Sequence, residues 1–178
     1  MNSAAETTIK IRRLTADEII AAAPDLAVVL LDCVAGGASV NFMADFSRDQ
    51  AEAFWRDVAD AARADGRVLF VAEDEQGIVG TVQLVPIAFD NQPHRAEVAK
   101  MLVHSRARRR GVGAQLLLAT EEAARAMGRT LLTLDTMTDS EGERLYRRLG
   151  WTPVGVIPGF ALYPDGRSGD TTFFYKQI

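Results

Sequence analysis

The residues best suited to chemistry concentrate in one segment, EVAKMLVHSRARRRGVGAQLLL, from Glu97 to Leu118. Its first half alternates like a strand up to Val103, and its last residues open an amphipathic helix. Between the two stand Arg106, Arg108, Arg109, Arg110, Gly111 and Gly113. The first backbone N–H groups of a helix have no partner within it, and the helix dipole adds partial positive charge there. Such a start attracts anions such as phosphate. Gly111 and Gly113 leave room for a ligand to approach the main chain, and the arginines can supply charge-assisted bonds to phosphate oxygens. Two plainer readings stand beside this one: a solvated charge run, and glycines that only turn the chain. The dinucleotide fingerprint G-x-G-x-x-G is absent, as is the G-x-x-x-x-G-K-[ST] of nucleotide triphosphatases, so the phosphate ligand is expected to be of another kind.

The surrounding pattern predicts the elements that must position this turn. Residues 7–13 alternate and are β-branched, as an opening strand would be. Residues 15–35 read as helical, with Pro24 predicting a break or a loop between two shorter helices. A second helix is expected from about Asp49 to Ala64, carrying Ala51, Phe54, Trp55, Val58 and Ala62 at helical spacing. Residues 67–73 and 78–85 form a hairpin about the turn 74–77, and a long strand runs from His94 to Val103. After the Gly113–Met127 helix, closed by Gly128, comes a strand over 130–136. Ser140 and Glu143 have the spacing of a capping box, opening a helix with Leu145 and Leu149 that ends before Gly150. Strands at about 151–160 and 171–177 flank the turn-rich PDGRSGD, residues 164–170. The strand, helix, strand order after residue 94 implies a right-handed crossover between parallel strands. A mixed α/β sheet follows, otherwise built of hairpins.

Composition removes several function classes. The chain has 178 residues, 48% hydrophobic and 25% charged, with a formal net charge of −4. No repeat or linker divides it, so residues 1–178 read as one domain. About 70% of the unfolded surface is buried in a domain of this size, enough for a core without metal or disulfide. Cys33 is the one cysteine, and only His94 and His104 could join it, which speaks against a zinc site. The acidic balance argues against a nucleic-acid surface. No membrane span or signal peptide is evident, so a cytoplasmic protein is the expectation.

Two landmarks then fall together. Arg108-x-x-Gly111-x-Gly113, after a strand ending in Leu102-Val103, resembles the acetyl-CoA signature of the GNAT superfamily of N-acetyltransferases. About forty residues on, Leu145-Tyr146-Arg147-Arg148-Leu149-Gly150-Trp151 is similar to that family's L-Y-x-x-x-G-F. Within the family, HRAEVAKMLV, the LDT at 134–136 and PGFALYPDGR look most like the tabtoxin resistance acetyltransferase subgroup. The resemblance implies a mostly antiparallel six- to seven-stranded sheet with a central parallel pair and helices on both faces. It implies acetyl-CoA as acyl donor, its pantetheine arm lying along the backbone of Met101, Leu102 and Val103. The amides from Arg109 through Arg110, Gly111, Val112 and Gly113 to Ala114 would hold the pyrophosphate, with Arg108 at the signature's leading position. Tyr146 would sit near the thioester sulfur. Asp139 stands where the family often has Asn, and Gly142 where it often has Ala. Such folds often dimerise through edge strands or the C-terminal hairpin. By the same analogy the acceptor would be lined around Phe42, Phe46, Phe89, Asp90, Phe160 and Tyr163, which suits a small-molecule amine.

Attack of an amine on a thioester needs a neutral amine, a stabilised oxyanion and a protonated leaving thiol. An alkylammonium has a pKa near ~10, so a base or a water relay to one is useful. Glu97 is the first candidate: simple alternation puts it in an apolar row with Ala99, Met101 and Val103, where desolvation would raise its pKa. Asp135, on the neighbouring strand, is the second. Tyr146 is the candidate acid for the thiolate, its plainer role being a core aromatic. His94 and His104 read as polar strand-end residues. Cys33 has no evident activating partner, which favours direct transfer in a ternary complex.

Overall fold

One helix runs unbroken from Ala16 to Ala35 (α1), through Pro24, where the sequence predicts a break. Pro24 is on the exposed side, where water can take the carbonyl that its missing N–H leaves unpaired. Ile19, Ala23, Leu26, Ala27, Leu30 and Val34 are buried along the opposite side, on both flanks of the proline. A helical proline costs about 3 kcal/mol and each buried Leu or Ile contributes roughly 1.5–3 kcal/mol, so the packed face outweighs it. Thr15 and Glu18 form the capping box that starts this helix.

The computed structural model describes residues 8–178. Thr7 lies outside them, and the first strand is Lys10–Leu14 (β1). The second helix, Arg48–Arg63 (α2), starts from a Ser47–Gln50 capping box and buries Ala51, Trp55, Val58 and Ala59. The hairpin is Val68–Asp74 (β2) and Gly77–Pro86 (β3), followed by Arg95–Val103 (β4). Then come Val112–Ala126 (α3), Leu131–Met137 (β5), Glu141–Arg148 (α4), Thr152–Leu162 (β6) and Ser168–Gln177 (β7).

The strands form one seven-stranded sheet in the order β1-β2-β3-β4-β5-β7-β6. Every neighbouring pair is antiparallel except β4 with β5, which α3 joins. The mixed sheet with one central parallel pair is the predicted fold. Its two faces carry separate cores. Under α3 and α4, Val82, Leu84, Val98, Leu116, Leu132 and Phe174 pack together. Beneath α1 and α2, Ile19, Leu26, Leu30, Trp55, Leu69 and Val71 form the second. At one edge β6 is open, with Val154, Val156, Ile157, Phe160 and Leu162 exposed. Among the described residues no helix is long and apolar enough to cross a membrane.

Candidate functional site

β4 and β5 pair for only three rungs, Arg95 with Leu131, Ala96 with Leu132 and Glu97 with Thr133. Beyond Glu97 the two strands part, although β4 keeps its ladder to β3 and β5 keeps its ladder to β7 up to Met137. The sheet therefore forks at its centre. Past the fork, the side of β4 that faced β5 has no strand against it.

A bulge refines the geometry of that arm. Thr81 pairs with Leu102 and Gln83 with Ala99, so Lys100 and Met101 together oppose Val82. Lys100 takes up the extra residue with φ at 49°, in the left-handed region. The predicted row of Glu97, Ala99, Met101 and Val103 is thereby broken. Met101 and Val103 join the core under α3, while Leu102 joins the core under α1 and α2. Glu97 and Ala99 share the face of Leu102, away from Met101 and Val103. Simple alternation fails because one inserted residue inverts the facing of all that follow.

On the α3 side a cleft of about 970 Å³ opens from the fork, lined by Met101, Leu102, Val103, Tyr146, the arginine-glycine turn and the start of α4. Arg109 and Gly111 have positive φ, 62° and 76°, and Gly111 begins α3 with no side-chain cap. The first amides of α3 thus have no side-chain partner, and Val112, Gly113 and Ala114 line the cleft. Gly113 serves packing as well: a Cβ there would stand 2.8 Å from Leu145 Cδ2.

The arginines divide their work. Arg106 and Arg110 both reach Asp74 of the β2–β3 hairpin, at 2.6 and 3.4 Å, and the Arg106 hydrogen bond leads in holding that carboxyl below the usual range. Arg108 Nε donates to Val103 O at 3.2 Å, and its guanidinium stands 4.0 Å from Asp32. Arg108 and Arg109 line the cleft. Arg110 therefore brings its main chain to the turn and its side chain to the hairpin.

Opposite the turn, Ser140 caps α4 by accepting from Glu143 N. The predicted capping box is only half formed, because the Glu143 carboxylate accepts from Asp139 N at 2.6 Å instead of the cap residue's own N–H. Asp139 has φ at 61°, a conformation that Asn and Asp tolerate better than most side chains. Tyr146 is buried, edge-on to Trp151 and tilted against Phe174, and also lines the cleft. Both sequence readings of Tyr146, core aromatic and cleft residue, hold in its position. Burial, and then the negative charge of Asp135, raise its hydroxyl above the ordinary phenol range. Asp135 lies two residues past the last rung, and burial pushes its carboxyl up against an opposing pull from Lys100. Solvent reaches Asp135, but the concave mouth surrounds it with protein.

Cys33 is buried in the cleft wall, its thiol 3.6 Å from Val103 O, and burial raises its pKa. His104 accepts from Arg106 N and sits beside Asp32, a structural role at the strand end. Of the predicted acceptor residues, Phe42 and Phe46 stack at 4.0 Å and Phe42 meets Phe54 at 5.3 Å. Tyr163 lines the cleft, Phe160 packs on Phe173, and Phe89 and Asp90 stand exposed in the β3–β4 loop. The sequence reading missed Lys100, Arg67 and Gln83. Lys100 Nζ stands 5.8 Å from the centroids of both Phe42 and Phe54, and Arg67 donates to Gln83 at 2.5 Å. The available signal was a lysine within the otherwise apolar strand run VAKMLV.

Comparison with known proteins agrees with this architecture. A protein of Azospirillum brasilense, an uncharacterized N-acetyltransferase in the hisH-hisA intergenic region, is 34% identical over 113 residues. That match covers 62% of this chain and 66% of that protein, just under two thirds of its length. Ribosomal-protein-alanine N-acetyltransferase from Brucella melitensis superposes with a TM-score of 0.75 at 25% identity, covering 95% of this chain and 99% of its own. The yncA structure from Salmonella typhimurium, with its cofactor acetyl-CoA, has a TM-score of 0.76 at 21% identity, covering 95% and 93%. Residues 65–153, half of the chain and the stretch that contains the fork, the turn and α4, match the acetyltransferase (GNAT) domain. The chain belongs to the GNAT acetyltransferase family.

Proposed function

We propose that the protein transfers an acetyl group from acetyl-CoA to the primary amine of a small molecule, by direct attack in a ternary complex. The observation that carries this reading is the fork itself. It offers an unpaired strand edge on β4, a cleft of about 970 Å³ alongside it, and an uncapped helix start at the far end. An extended pantetheine arm suits the edge as an added strand would, and a diphosphate suits the amides from Arg109 to Ala114. Arg108 and Arg109 add charge at the same end. The yncA neighbour's acetyl-CoA supports the same donor here.

The residues then divide the reaction. Asp135, at the mouth of the fork with its carboxyl raised, accepts the proton of the attacking ammonium directly or through water, and Glu97 at the fork's apex is the alternative. As the new C–N bond forms and the C–S bond breaks, Tyr146 gives its proton to the departing thiolate. Its raised pKa keeps that proton in place until then.

A closed pocket is favoured over the open groove that a protein N-terminus would need. The loop after α1 is tied to the β6–β7 hairpin, with Ser39 Oγ donating to Leu162 O at 2.7 Å and Ala44 N to Pro164 O at 3.1 Å. We assign a second copy of the chain to the apolar edge of β6, which a monomer leaves in water.

Acetyl-CoA is expected to raise the melting temperature, since a ligand that binds only the native state stabilises it. Thiol release over a panel of amines then separates an enzyme from a binding or sensing module. No shift at saturating acetyl-CoA would sink the donor assignment, and a shift without thiol release would leave a sensor.

A further inference from the structure

Charged side chains that are buried in this fold carry their partners with them. Asp74 holds Arg106 and Arg110, Glu121 holds Lys176 at 2.7 Å, and Glu143 holds Arg147 at 2.6 Å. One group departs from that rule. On the face beneath α1 and α2, where the sheet forks, Arg67, Glu97 and Lys100 are half-buried beside Asp135, and among the described residues none of the four forms an ion pair. Lys100 has Arg67, Asp135 and Glu97 as its charged neighbours. Removing charges from water without pairing them is costly, and folds keep such arrangements mainly where a ligand completes them.

The register orders these groups across the sheet. Arg67 reaches Gln83, which pairs with Ala99, and Glu97 pairs with Thr133, two residues before Asp135. The cations Arg67 and Lys100 thus lie toward β2 and β3, and Asp135 lies across the fork on β5. Arg95, also on this face, already bonds Gln92 and Thr133. Gln83 is wholly buried: its Oε1 takes the Arg67 bond, while its Nε2 has no partner among the described residues. A buried N–H donor without an acceptor beside two cations matches an oxyanion. The rings of Phe42 and Phe54 under Lys100 provide an apolar wall.

We infer that the acceptor is a zwitterion, an amine with a carboxylate or similar oxyanion a few bonds away. Lys100 and Arg67 bind the anion, and Asp135 with Glu97 faces the ammonium. This rests on the acetyltransferase reading and narrows its substrate class. A plain alkylamine would leave both cations and the Gln83 amide without a partner, and an N-acetylated product loses its ammonium and with it half of the recognition.

The test is thiol release from acetyl-CoA with matched pairs: phenylalanine against phenethylamine, leucine against isoamylamine, glutamate against 4-aminobutyrate. The expected result is a kcat/KM at least tenfold higher for the α-amino acid in one or more pairs. Lys100→Met and Arg67→Met are expected to collapse that ratio through KM. Equal or better turnover of the amine in every pair overturns the zwitterion, as does a ratio unchanged in both variants, which would mark the two cations as structural. Absence of thiol release from the whole panel, together with no acetyl-CoA thermal shift, breaks the parent reading instead. A shift with no turnover of any pair overturns the zwitterionic acceptor while leaving the donor site standing.

Discussion

Asp135 and Tyr146 lie on opposite faces of the forked sheet and share one electrostatic field: the Asp135 charge adds to burial in holding the Tyr146 hydroxyl protonated. One group is thereby kept as an acid while the other, raised by its own burial, becomes a better base. The expected pH profile has kcat/KM rising as Asp135 loses its proton, at a pH above the ordinary aspartate value of about 3.9. Asp135→Asn should remove that limb and slow turnover about 100-fold. A raised carboxyl favours the folded state when protonated, so its contribution falls as pH rises from the ordinary value through the raised one. Asp135→Asn is therefore expected not to lower the melting temperature at neutral pH, which separates its catalytic effect from unfolding.

Tyr146→Phe removes one hydroxyl and leaves the ring between Trp151 and Phe174. Turnover is expected to fall by about tenfold or more, a larger loss than any weakening of acetyl-CoA binding measured by calorimetry. Equal loss of both would leave Tyr146 as a packing residue.

The arginine-glycine turn should respond more to backbone than to charge at two neighbouring positions. Gly111→Ala places a side chain at a φ of 76°, which costs about 1–2 kcal/mol, and should weaken acetyl-CoA binding by distorting the amide cradle. Arg110→Ala removes a guanidinium held by Asp74 and should lower the melting temperature while changing acetyl-CoA affinity less than Gly111→Ala does. Isothermal titration of both variants at two salt concentrations checks the order.

Glu143 ties the start of α4 together. Burial alone would raise its carboxyl, but the Arg147 hydrogen bonds and the Asp139 N–H overcome that and leave it below the usual glutamate range. Its stabilisation is full above the ordinary glutamate pKa and is lost as pH falls through the lowered value. Glu143→Ala should cost about 1–3 kcal/mol at neutral pH and lose most of that penalty in acid, as read from urea denaturation.

The open strand β6 predicts the assembly. Val154 is 69% exposed and Phe160 51%, on an edge that a second copy can cover. Light scattering should give a dimer, and Val154→Lys with Ile157→Lys should shift it toward the monomer without lowering the monomer's secondary structure.

Much of the fold is readable in the residues, and the failures have identifiable physics. The Arg108 to Gly113 turn, the crossover helix and the α4 landmark around Tyr146 depend on local chemistry: positive φ, helix starts and periodicity. Pro24 misleads because a local penalty is set against tertiary burial that no local pattern shows. Glu97 is misplaced by alternation because a bulge is decided between strands, in the pairing of Gln83 and Thr81 with β4. Lys100, Arg67 and Gln83 escape notice for the same reason, since three strands must pair before they become neighbours. The division of the arginines likewise depends on Asp74, more than thirty residues earlier in the chain.

The extra residue at Lys100 acts as a half-turn in a ribbon. Side chains before it and after it answer to different rooms of the molecule, so one continuous strand addresses the donor chamber with Met101 and Val103 and the acceptor chamber with Glu97. Deleting that single residue would not merely shorten β4; it would exchange the two addresses, sending the donor-side contacts into the acceptor chamber while leaving every hydrophobic residue in the sequence.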